Sequence, residues 1–376
     1  MISRYPMSYA RERLFEGKAL VIYGARQVGK TTFVRHLLQE VGLSYQAFNA
    51  DNADVRSLLG APNVEMLRQL VGDRKIIFID EVQRIENSGL LLKLLVDEMP
   101  EVQVIATGSS SFQLAGAVNE PLTGRKYEQL LFPLSFLELL RHTDLLTERR
   151  LLPSRLVYGC YPEIVTRPER ASELLQTLSQ SYLYKDLLSL EGMKKPRLLE
   201  KIVKALALQI GSEVSFNELG RLVGADSKTV EKYIQLLEEA FVIFSLEGFS
   251  RNVRTEIRKR KKIYFYDNGI RNAVIGNLNP LAKRDDQGKL WENYLMSERR
   301  KMLKLSHQVA KAYFWRTTQQ QEVDYVEEVA GNLKAVEFKW NPQKRASISK
   351  TFIRAYPEAK PQIVHPENYH SFLQEV

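Results

Sequence analysis

The stretch GARQVGKT, residues 24–31, constrains the fold of this chain more than any other feature, because it matches the phosphate-loop pattern GxxxxGK[ST]. It follows the apolar segment ALVIYG and precedes a helical pattern, which is the context that the motif requires. Its glycines permit a tight backbone that aims N–H groups at phosphate oxygens, and the following helix adds its positive dipole end. The predicted nucleotide-binding residues are Gly24, Ala25, Arg26, Gln27, Val28, Gly29, Lys30, Thr31 and Thr32.

Short apolar segments alternate with helical patterns through the first 150 residues, which predicts an α/β fold with a parallel sheet. The predicted strands are ALVIYG (19–24), SYQAFN (44–49), KIIFID (75–80) and VQVIATG (102–108). The third strand leads into Asp80 and Glu81, at the sheet edge where open α/β folds bind ligands. We expect Asp80 and Thr31 to hold Mg²⁺, Lys30 to reach the β and γ phosphates, and Glu81 to orient or deprotonate the attacking water.

Three further residues are candidates for sensing or stabilising the γ-phosphate. Thr107 and Ser109 follow the fourth predicted strand, where turn chemistry explains the TGSSS stretch equally well. Arg125, in LTGRKYE, is predicted to stabilise developing charge, within the chain or from a neighbouring one, and a solvated surface arginine is the alternative. The chain has no [NT]KxD stretch to read guanine, so the predicted cofactors are ATP and Mg²⁺.

The length of 376 residues predicts two or three domains. We expect an ATPase core at 1–146, a helical segment with a winged helix at 147–275, and a third domain at 276–376. One cysteine, no apolar leader and no long apolar run predict a cytoplasmic protein without a membrane partner. The first 150 residues hold 18 basic and 18 acidic side chains, so the whole net charge of +9 lies C-terminal to them and favours a polyanionic partner.

A helix-turn-helix pattern occupies residues 217–240, with Ser227 as a predicted N-cap, and is followed by a predicted wing with its tip at 250–262. The second helix has a weakly acidic polar face, so the wing tip is the better candidate for contacts to DNA or RNA phosphates. A solvated loop or a contact with another domain is the alternative. The predicted nucleic-acid contacts are Arg258, Lys259, Arg260, Lys261 and Lys262.

The stretch EVDYVEEVAGNLKAVEFKW, residues 322–340, predicts a hairpin with a turn at Gly331-Asn332. That turn would place Asp324 opposite Lys339 and put both on one face with Glu337, because side chains alternate along a strand. Two carboxylates beside a lysine could bind Mg²⁺ and cleave a phosphodiester. Solvated charge on an exposed strand is the alternative.

The motifs GARQVGKTTF, IIFIDEVQ, IATGSSS, LTGR and LFPLSF together resemble those of AAA+ type ATPases of a bacterial and archaeal group. The resemblance implies ATP hydrolysis coupled to a conformational change. It also implies a winged helix and a restriction-endonuclease-like domain of uncertain role, with Asp324, Glu337 and Lys339 as the Asp and Glu-x-Lys signature and Glu292 as a helix-borne acid. The chain departs from that pattern at TTQQQEVDY, which lacks the glycine expected before Asp324.

Three functions fit these observations. The first is an ATP-hydrolysing switch or motor whose C-terminal half contacts nucleic acid or a protein partner. The second is an ATP-gated, metal-dependent nuclease that uses Asp324, Glu337 and Lys339. The third is a non-enzymatic adaptor or regulator in which ATP sets the conformation.

Overall fold

The structure is a computed structural model that describes residues 2–109, 122–180, 195–250, 261–343 and 347–375. The chain forms two compact units: Met1–Pro133 with Glu239–Phe241, and Leu134–Glu238 with Val242–Val376. Both units combine helices with a sheet, which confirms the predicted α/β class. The division into two units differs from the three predicted segments, 1–146, 147–275 and 276–376.

The N-terminal unit is built on a five-stranded parallel sheet. Its strands are β1 (Ala19–Tyr23), β2 (Tyr45–Asn49), β3 (Ile76–Asp80), β4 (Gln103–Gly108) and β5 (Lys126–Leu130). Its described helices are α1 (Met7–Glu12), α2 (Lys30–Val41), α3 (Ala53–Gly60), α4 (Val64–Val71) and α5 (Ser88–Glu98), with a 3-10 turn at Val82–Arg84. The strand order is β2-β3-β4-β1-β5, and β1, β3 and β4 are buried along their whole length. The four predicted strands are therefore confirmed to within one residue at each end.

The second unit contains a seven-stranded mixed sheet with the order β12-β11-β10-β9-β7-β8-β6. Its strands are β6 (Glu213–Val214), β7 (Ile243–Gly248), β8 (Lys261–Phe265), β9 (Ala310–Arg316), β10 (Glu322–Val329), β11 (Asn332–Phe338) and β12 (Lys360–Val364). Its described helices are α6 (Phe136–His142), α7 (Leu145–Tyr158), α8 (Pro162–Thr166), α9 (Ala171–Ser179), α10 (Pro196–Leu208), α11 (Phe216–Val223), α12 (Ser227–Glu239), α13 (Asn268–Ile275), α14 (Gln287–Leu305), α15 (Lys350–Ala355) and α16 (Tyr369–Gln374), with 3-10 turns at Pro168–Arg170 and Leu281–Lys283.

Pairing between β7 and β9 explains why the second unit does not divide at residue 275. Glu247 and Gly248 pair in parallel with Tyr313 and Phe314, and the N–H of Phe249 donates to Phe314 O at 2.6 Å. The strands of the predicted wing and those of the predicted third domain therefore share one sheet.

Helices α11 and α12 occupy the residues of the predicted helix-turn-helix. The core face of α12 is confirmed, because the side chains assigned to it are all buried; they are Val230, Tyr233, Ile234, Leu237 and Ala240. The predicted N-cap is wrong by one residue: Asp226, not Ser227, accepts from Thr229 N at 2.9 Å. The element order β6, α11, α12, β7, β8 agrees with the predicted winged helix, whose assignment stays a prediction.

No helix in the described parts of the chain combines the length and the apolar character needed to cross a membrane.

Candidate nucleotide site and C-terminal cluster

The loop between β1 and α2 has backbone geometry that only glycine tolerates at its ends. Gly24 has φ +152°, and a Cβ there would lie 2.0 Å from Leu131 O. Gly29 has φ +93° and directly precedes α2. The loop is thus held in the tight form that a phosphate-binding loop needs, with the start of a 12-residue helix behind it.

Lys30 is held against the backbone of this loop. Its side chain is buried, and Nζ donates to Gly24 O at 3.0 Å and to Ala25 O at 3.1 Å. Ala25 and Val28 are buried as well, while Arg26 and Gln27 are exposed. The predicted loop residues therefore form one continuous segment, and the ammonium of Lys30 lies against its backbone at the start of α2.

Thr31, Asp80 and Thr107 meet at the carboxyl edge of the parallel sheet. Thr31 Oγ1 donates to Asp80 Oδ2 at 2.9 Å, and Thr107 Oγ1 donates to Asp80 Oδ1. Thr107 makes this contact because β4 lies between β1 and β3. Thr107 is fully buried and its hydroxyl contacts Asp80, whereas its predicted action as a γ-phosphate sensor stays a prediction.

Glu81 is positioned through its backbone and its side chain. Its N–H donates to Thr107 Oγ1 at 3.1 Å, and its φ of +54° is uncommon for a non-glycine residue. Gln83 Nε2 donates to Glu81 Oε2 at 2.6 Å and to Ser109 Oγ at 3.1 Å. Ser109, the other predicted sensor, therefore reaches Glu81 through Gln83, a residue that the sequence did not single out.

The Thr31 hydroxyl and the Asp80 carboxylate form an oxygen donor pair that suits Mg²⁺. Mg²⁺ in phosphate-loop enzymes is bound by one hydroxyl, one or two carboxylates and the nucleotide phosphates. The two side chains already touch, and both face the same sheet edge as the loop. The residues present therefore fit the predicted Mg²⁺-nucleotide site.

Arg4 braces the same loop and was not predicted from the sequence. Its Nη1 donates to Val28 O and its Nη2 to Phe132 O, both at 2.6 Å, and its side chain is 9% exposed. One planar guanidinium therefore ties the loop to the segment that follows β5. Nothing in the local sequence indicates these contacts, because the second acceptor is 128 residues away.

The structure does not place Arg125 near the loop of its own chain. Arg125 precedes β5, its carbonyl accepts from Ala19 N at 2.9 Å, and its Nε lies 2.7 Å from Asp97 Oδ1. It is therefore at the amino edge of the sheet, about five strand residues or roughly 16 Å from the carboxyl edge. The predicted action of Arg125 within the chain is wrong, and action from a neighbouring chain stays a prediction.

The C-terminal hairpin has a different turn from the predicted one. Val329 pairs with Asn332 and Tyr325 with Val336, so the two turn residues are Ala330 and Gly331 rather than Gly331 and Asn332. This register brings Glu337, not Lys339, opposite Asp324. The shift by two residues preserves the alternation of faces, so Asp324, Glu337 and Lys339 still share one face.

Six side chains form what we call the acid-lysine cluster: Lys262, Glu292, Glu322, Asp324, Glu337 and Lys339. Lys262 Nζ forms an ion pair with Glu322 and lies 3.5 Å from Glu292 Oε1. Glu292 accepts from Tyr264 OH at 2.6 Å, Glu337 from Lys339 Nζ at 2.7 Å, and Asp324 from Phe338 N at 2.8 Å. The helix-borne Glu292 and the hairpin acid Glu322 thus contact the same lysine, while the role that the resemblance implied for Glu292 stays a prediction.

Burial and charge shift the protonation of this cluster. Burial, with the nearby carboxylates of Glu292 and Glu337, raises the pKa of Asp324 well above its ordinary value. Burial alone would lower the pKa of Lys262, but Glu292 and Glu322 raise it overall.

The predicted ligand set of Asp324, Glu337 and Glu292 is not arranged around a metal. Among the residues that the structure describes, no group of three or more His, Cys, Asp or Glu side chains is placed to hold a metal ion. One oxygen of each of these acids instead accepts a hydrogen bond: Glu292 from Tyr264, Glu337 from Lys339 and Asp324 from Phe338 N.

The predicted nucleic-acid contacts separate into two groups. Arg258, Lys259 and Arg260 lie outside the described residues. Lys261 is partly exposed at the start of β8, whereas Lys262 is only 2% exposed and is engaged by acids. Lys262 is therefore wrong as a phosphate contact, because its ammonium does not face solvent.

Comparisons with known proteins bear on each part of the chain. Residues 16–140 match a family model described as an AAA domain, while 149–281 and 287–375 match two models described as Domain of unknown function (DUF8612) and Domain of unknown function (DUF4143). An uncharacterized protein of Mycobacterium tuberculosis is 28% identical over 367 residues, covering 95% of this chain and 78% of that protein. An uncharacterized protein of Haemophilus influenzae is 26% identical over 276 residues, covering 68% and 69%.

A solved structure, the Walker-type ATPase of Pyrococcus abyssi, is similar to this chain with a TM-score of 0.50 and 16% identity. The similarity covers 73% of this chain and 96% of that one, and at this identity it bears on the fold. Together with the AAA domain match and the loop geometry, it shows that the N-terminal unit has the fold of a P-loop ATPase.

Proposed function

We propose that the chain hydrolyses ATP with Mg²⁺ at the loop formed by residues 24–32 and works as a conformational switch or motor. The observation that carries this proposal is the hydrogen bond between Thr31 and Asp80. It joins the hydroxyl of the phosphate loop to the strand-end carboxylate, and these two groups hold Mg²⁺ in phosphate-loop ATPases.

The chain's own residues have separate tasks in this reaction. Lys30 places its ammonium against the β and γ phosphates after leaving the carbonyls of Gly24 and Ala25. Glu81, oriented by Gln83, takes a proton from water as that water bonds to the γ-phosphorus and the bond to the β–γ bridging oxygen breaks. The products are ADP and phosphate, and bound Mg²⁺ supplies charge neutralisation for the phosphates.

Two substitutions test this assignment. Lys30→Ala should abolish nucleotide binding, and Glu81→Gln should keep binding while losing turnover. Lys75→Ala and Glu101→Gln are matched controls, because both side chains are exposed at the opposite edge of the same sheet and should leave both quantities unchanged. Steady ATP hydrolysis by Glu81→Gln would show that Glu81 does not take the proton from the attacking water.

We further propose that the C-terminal half contacts nucleic acid or a protein partner. The support is the uneven charge, since the whole excess of +9 lies beyond residue 150. ATP turnover should be measured with DNA, with RNA and with no polymer. Stimulation by a polymer, lost on neutralising Arg258, Lys259 and Arg260 but kept in Lys289→Gln with Lys304→Gln, would locate the contact in the basic segment.

The same assay separates the ATPase from the non-enzymatic adaptor. An adaptor would bind ATP and show no turnover above the Lys30→Ala level under any of the three conditions. The effect of a candidate protein partner on ATP turnover is measured in the same assay. Any stimulation that the partner causes must disappear in Glu81→Gln.

A further inference from the structure

Lys262 is a buried cation beside the acids that the sequence predicted as metal ligands. It lies on β8, outside the hairpin that carries the predicted signature, and its side chain is 2% exposed. Its Nζ lies between Glu322 and Glu292 and 5.4 Å above the ring of Phe314. A buried ammonium is tolerated only when it is paired, so these acids account for its position.

The donor set of the cluster does not fit a divalent ion. A divalent cation needs free carboxylate oxygens that converge at about 2.0–2.6 Å from one point. Here one oxygen each of Glu292, Glu337 and Asp324 accepts from Tyr264, Lys339 and the backbone of Phe338. In addition, Lys262 Nζ already pairs with Glu322 and lies 3.5 Å from Glu292 Oε1. No set of three acidic, His or Cys side chains converges as metal ligands within the described ranges.

We propose that Lys262 is the resident cation of the acid-lysine cluster and supplies the positive charge that a metal would otherwise bring. The cluster then links β8, α14 and β10, because Lys262, Glu292 and Glu322 belong to these three elements. The acid-lysine cluster then works without a bound metal, and the ATP-gated nuclease hypothesis loses its cofactor at this cluster.

Removing the Lys262 charge should open the cluster to a metal. Lys262→Met keeps the length and the apolar stem of the side chain while leaving Glu292 and Glu322 without their cation. Thermal unfolding is measured during a Mn²⁺ titration without nucleotide. We expect wild type to show no Mn²⁺ response that depends on Asp324, and Lys262→Met to bind Mn²⁺ at least tenfold more tightly, with the gain lost in Lys262→Met combined with Asp324→Asn.

Lys261→Met is the matched control, since Lys261 is the adjacent residue on β8 and is partly exposed. It should behave as wild type. A saturable Mn²⁺ response of wild type that Asp324→Asn abolishes would overturn the proposal, and so would a folded Lys262→Met that gains no Mn²⁺ binding. If Lys262→Met does not fold, the wild-type and Asp324→Asn titrations decide alone.

Cleavage assays give a second, independent readout. Incubation of wild type with DNA or RNA and Mn²⁺, with and without ATP, should yield no cleavage beyond that of Asp324→Ala and Lys339→Ala. Cleavage by wild type that both substitutions abolish would overturn the proposal. The readout is cleaved polymer rather than released phosphate, and the arm without ATP requires no turnover, so the outcome can be told apart from that of the proposed ATPase function.

Discussion

Thr31 and Asp80 are hydrogen-bonded at 2.9 Å although 49 residues separate them in the chain. The contact forms because β1 and β3 lie on either side of β4 in one parallel sheet, so that their carboxyl ends meet at the same edge. Thr107, at the end of β4, closes the arrangement by donating to the same carboxylate. The groups that we propose to bind Mg²⁺ are therefore positioned by strand order rather than by a local turn.

Removing the Asp80 charge should weaken Mg²⁺ binding more than nucleotide binding. We expect Asp80→Asn to raise the Mg²⁺ concentration for half-maximal ATP turnover roughly 10- to 100-fold, as for other substitutions around metal sites. The measurement is turnover against Mg²⁺ at saturating ATP. Asp73→Asn, an exposed aspartate at the amino edge of the sheet, should match wild type. An unchanged Mg²⁺ requirement in Asp80→Asn would contradict the site.

Arg4 should set the affinity of the phosphate loop. Arg4→Ala leaves the carbonyls of Val28 and Phe132 without their donor, at a cost of about 1–3 kcal/mol for each buried group. We expect nucleotide Kd to rise at least fivefold and the free energy of unfolding to fall, with Arg4→Lys in between because an ammonium lacks the planar fork. Calorimetric titration and denaturant unfolding measure the two effects.

Arg11→Ala is the control for Arg4. Arg11 is exposed and lies 3.9 Å from Glu40, and a surface pair of this kind contributes about 0–1 kcal/mol. A loss of stability in Arg4→Ala with wild-type nucleotide affinity would show that Arg4 braces the unit without shaping the loop.

Gln83 should affect turnover and not binding. Its amide fixes one carboxylate oxygen of Glu81 at 2.6 Å. Gln83→Leu should therefore lower kcat roughly tenfold, which is less than the 10²–10⁴ that general base catalysis itself supplies. Nucleotide Kd should stay unchanged, and Gln39→Leu, on the exposed face of α2, should alter neither quantity. A rise in nucleotide Kd without a fall in kcat would show that Gln83 does not orient Glu81 for catalysis.

Much of the N-terminal unit could be predicted from the sequence because its signals are local. Buried parallel strands appear as short apolar runs, and the loop has a fixed spacing of glycines, lysine and threonine. Arg125 was misplaced because β5, whose sequence is KYEQL, is not an apolar run. Once β5 is known, the position of Arg125 before a parallel strand excludes the ligand-binding edge.

The C-terminal cluster was only partly predictable. Alternation along the strands placed Asp324, Glu337 and Lys339 on one face, and this survived a wrong turn because the register error was an even number. The turn itself was missed because Ala330 takes a positive φ of +48°, which its side chain disfavours. Lys262 was predicted to contact nucleic acid because it ends a basic run, and only the tertiary fold brings Glu292 and Glu322 to it.

Asp286 should make the second unit sensitive to acid. Burial raises the pKa of Asp286, but hydrogen bonds from Arg284 and Arg271 outweigh it and lower the pKa from 3.8 to about 2. Because the folded-state pKa lies below the unfolded value, the stabilisation is present above about pH 4 and is lost as the pH falls toward 2. Asp286→Asn should therefore lower the free energy of unfolding at pH 7, and it should reduce the change in that free energy between pH 4 and pH 2.

Asp285→Asn provides the matched control for Asp286, because Asp285 is the preceding residue and is exposed. Its unfolding midpoint in denaturant should follow wild type at each pH. The unfolding midpoint of Asp286→Asn should instead be lower than those of wild type and Asp285→Asn at neutral pH. It should approach them at pH 2, because there the wild-type carboxyl takes up its proton and its pairing with the two arginines weakens. Equal profiles of stability against pH for all three proteins would show that the ion pairs between Asp286 and the two arginines do not stabilise the fold.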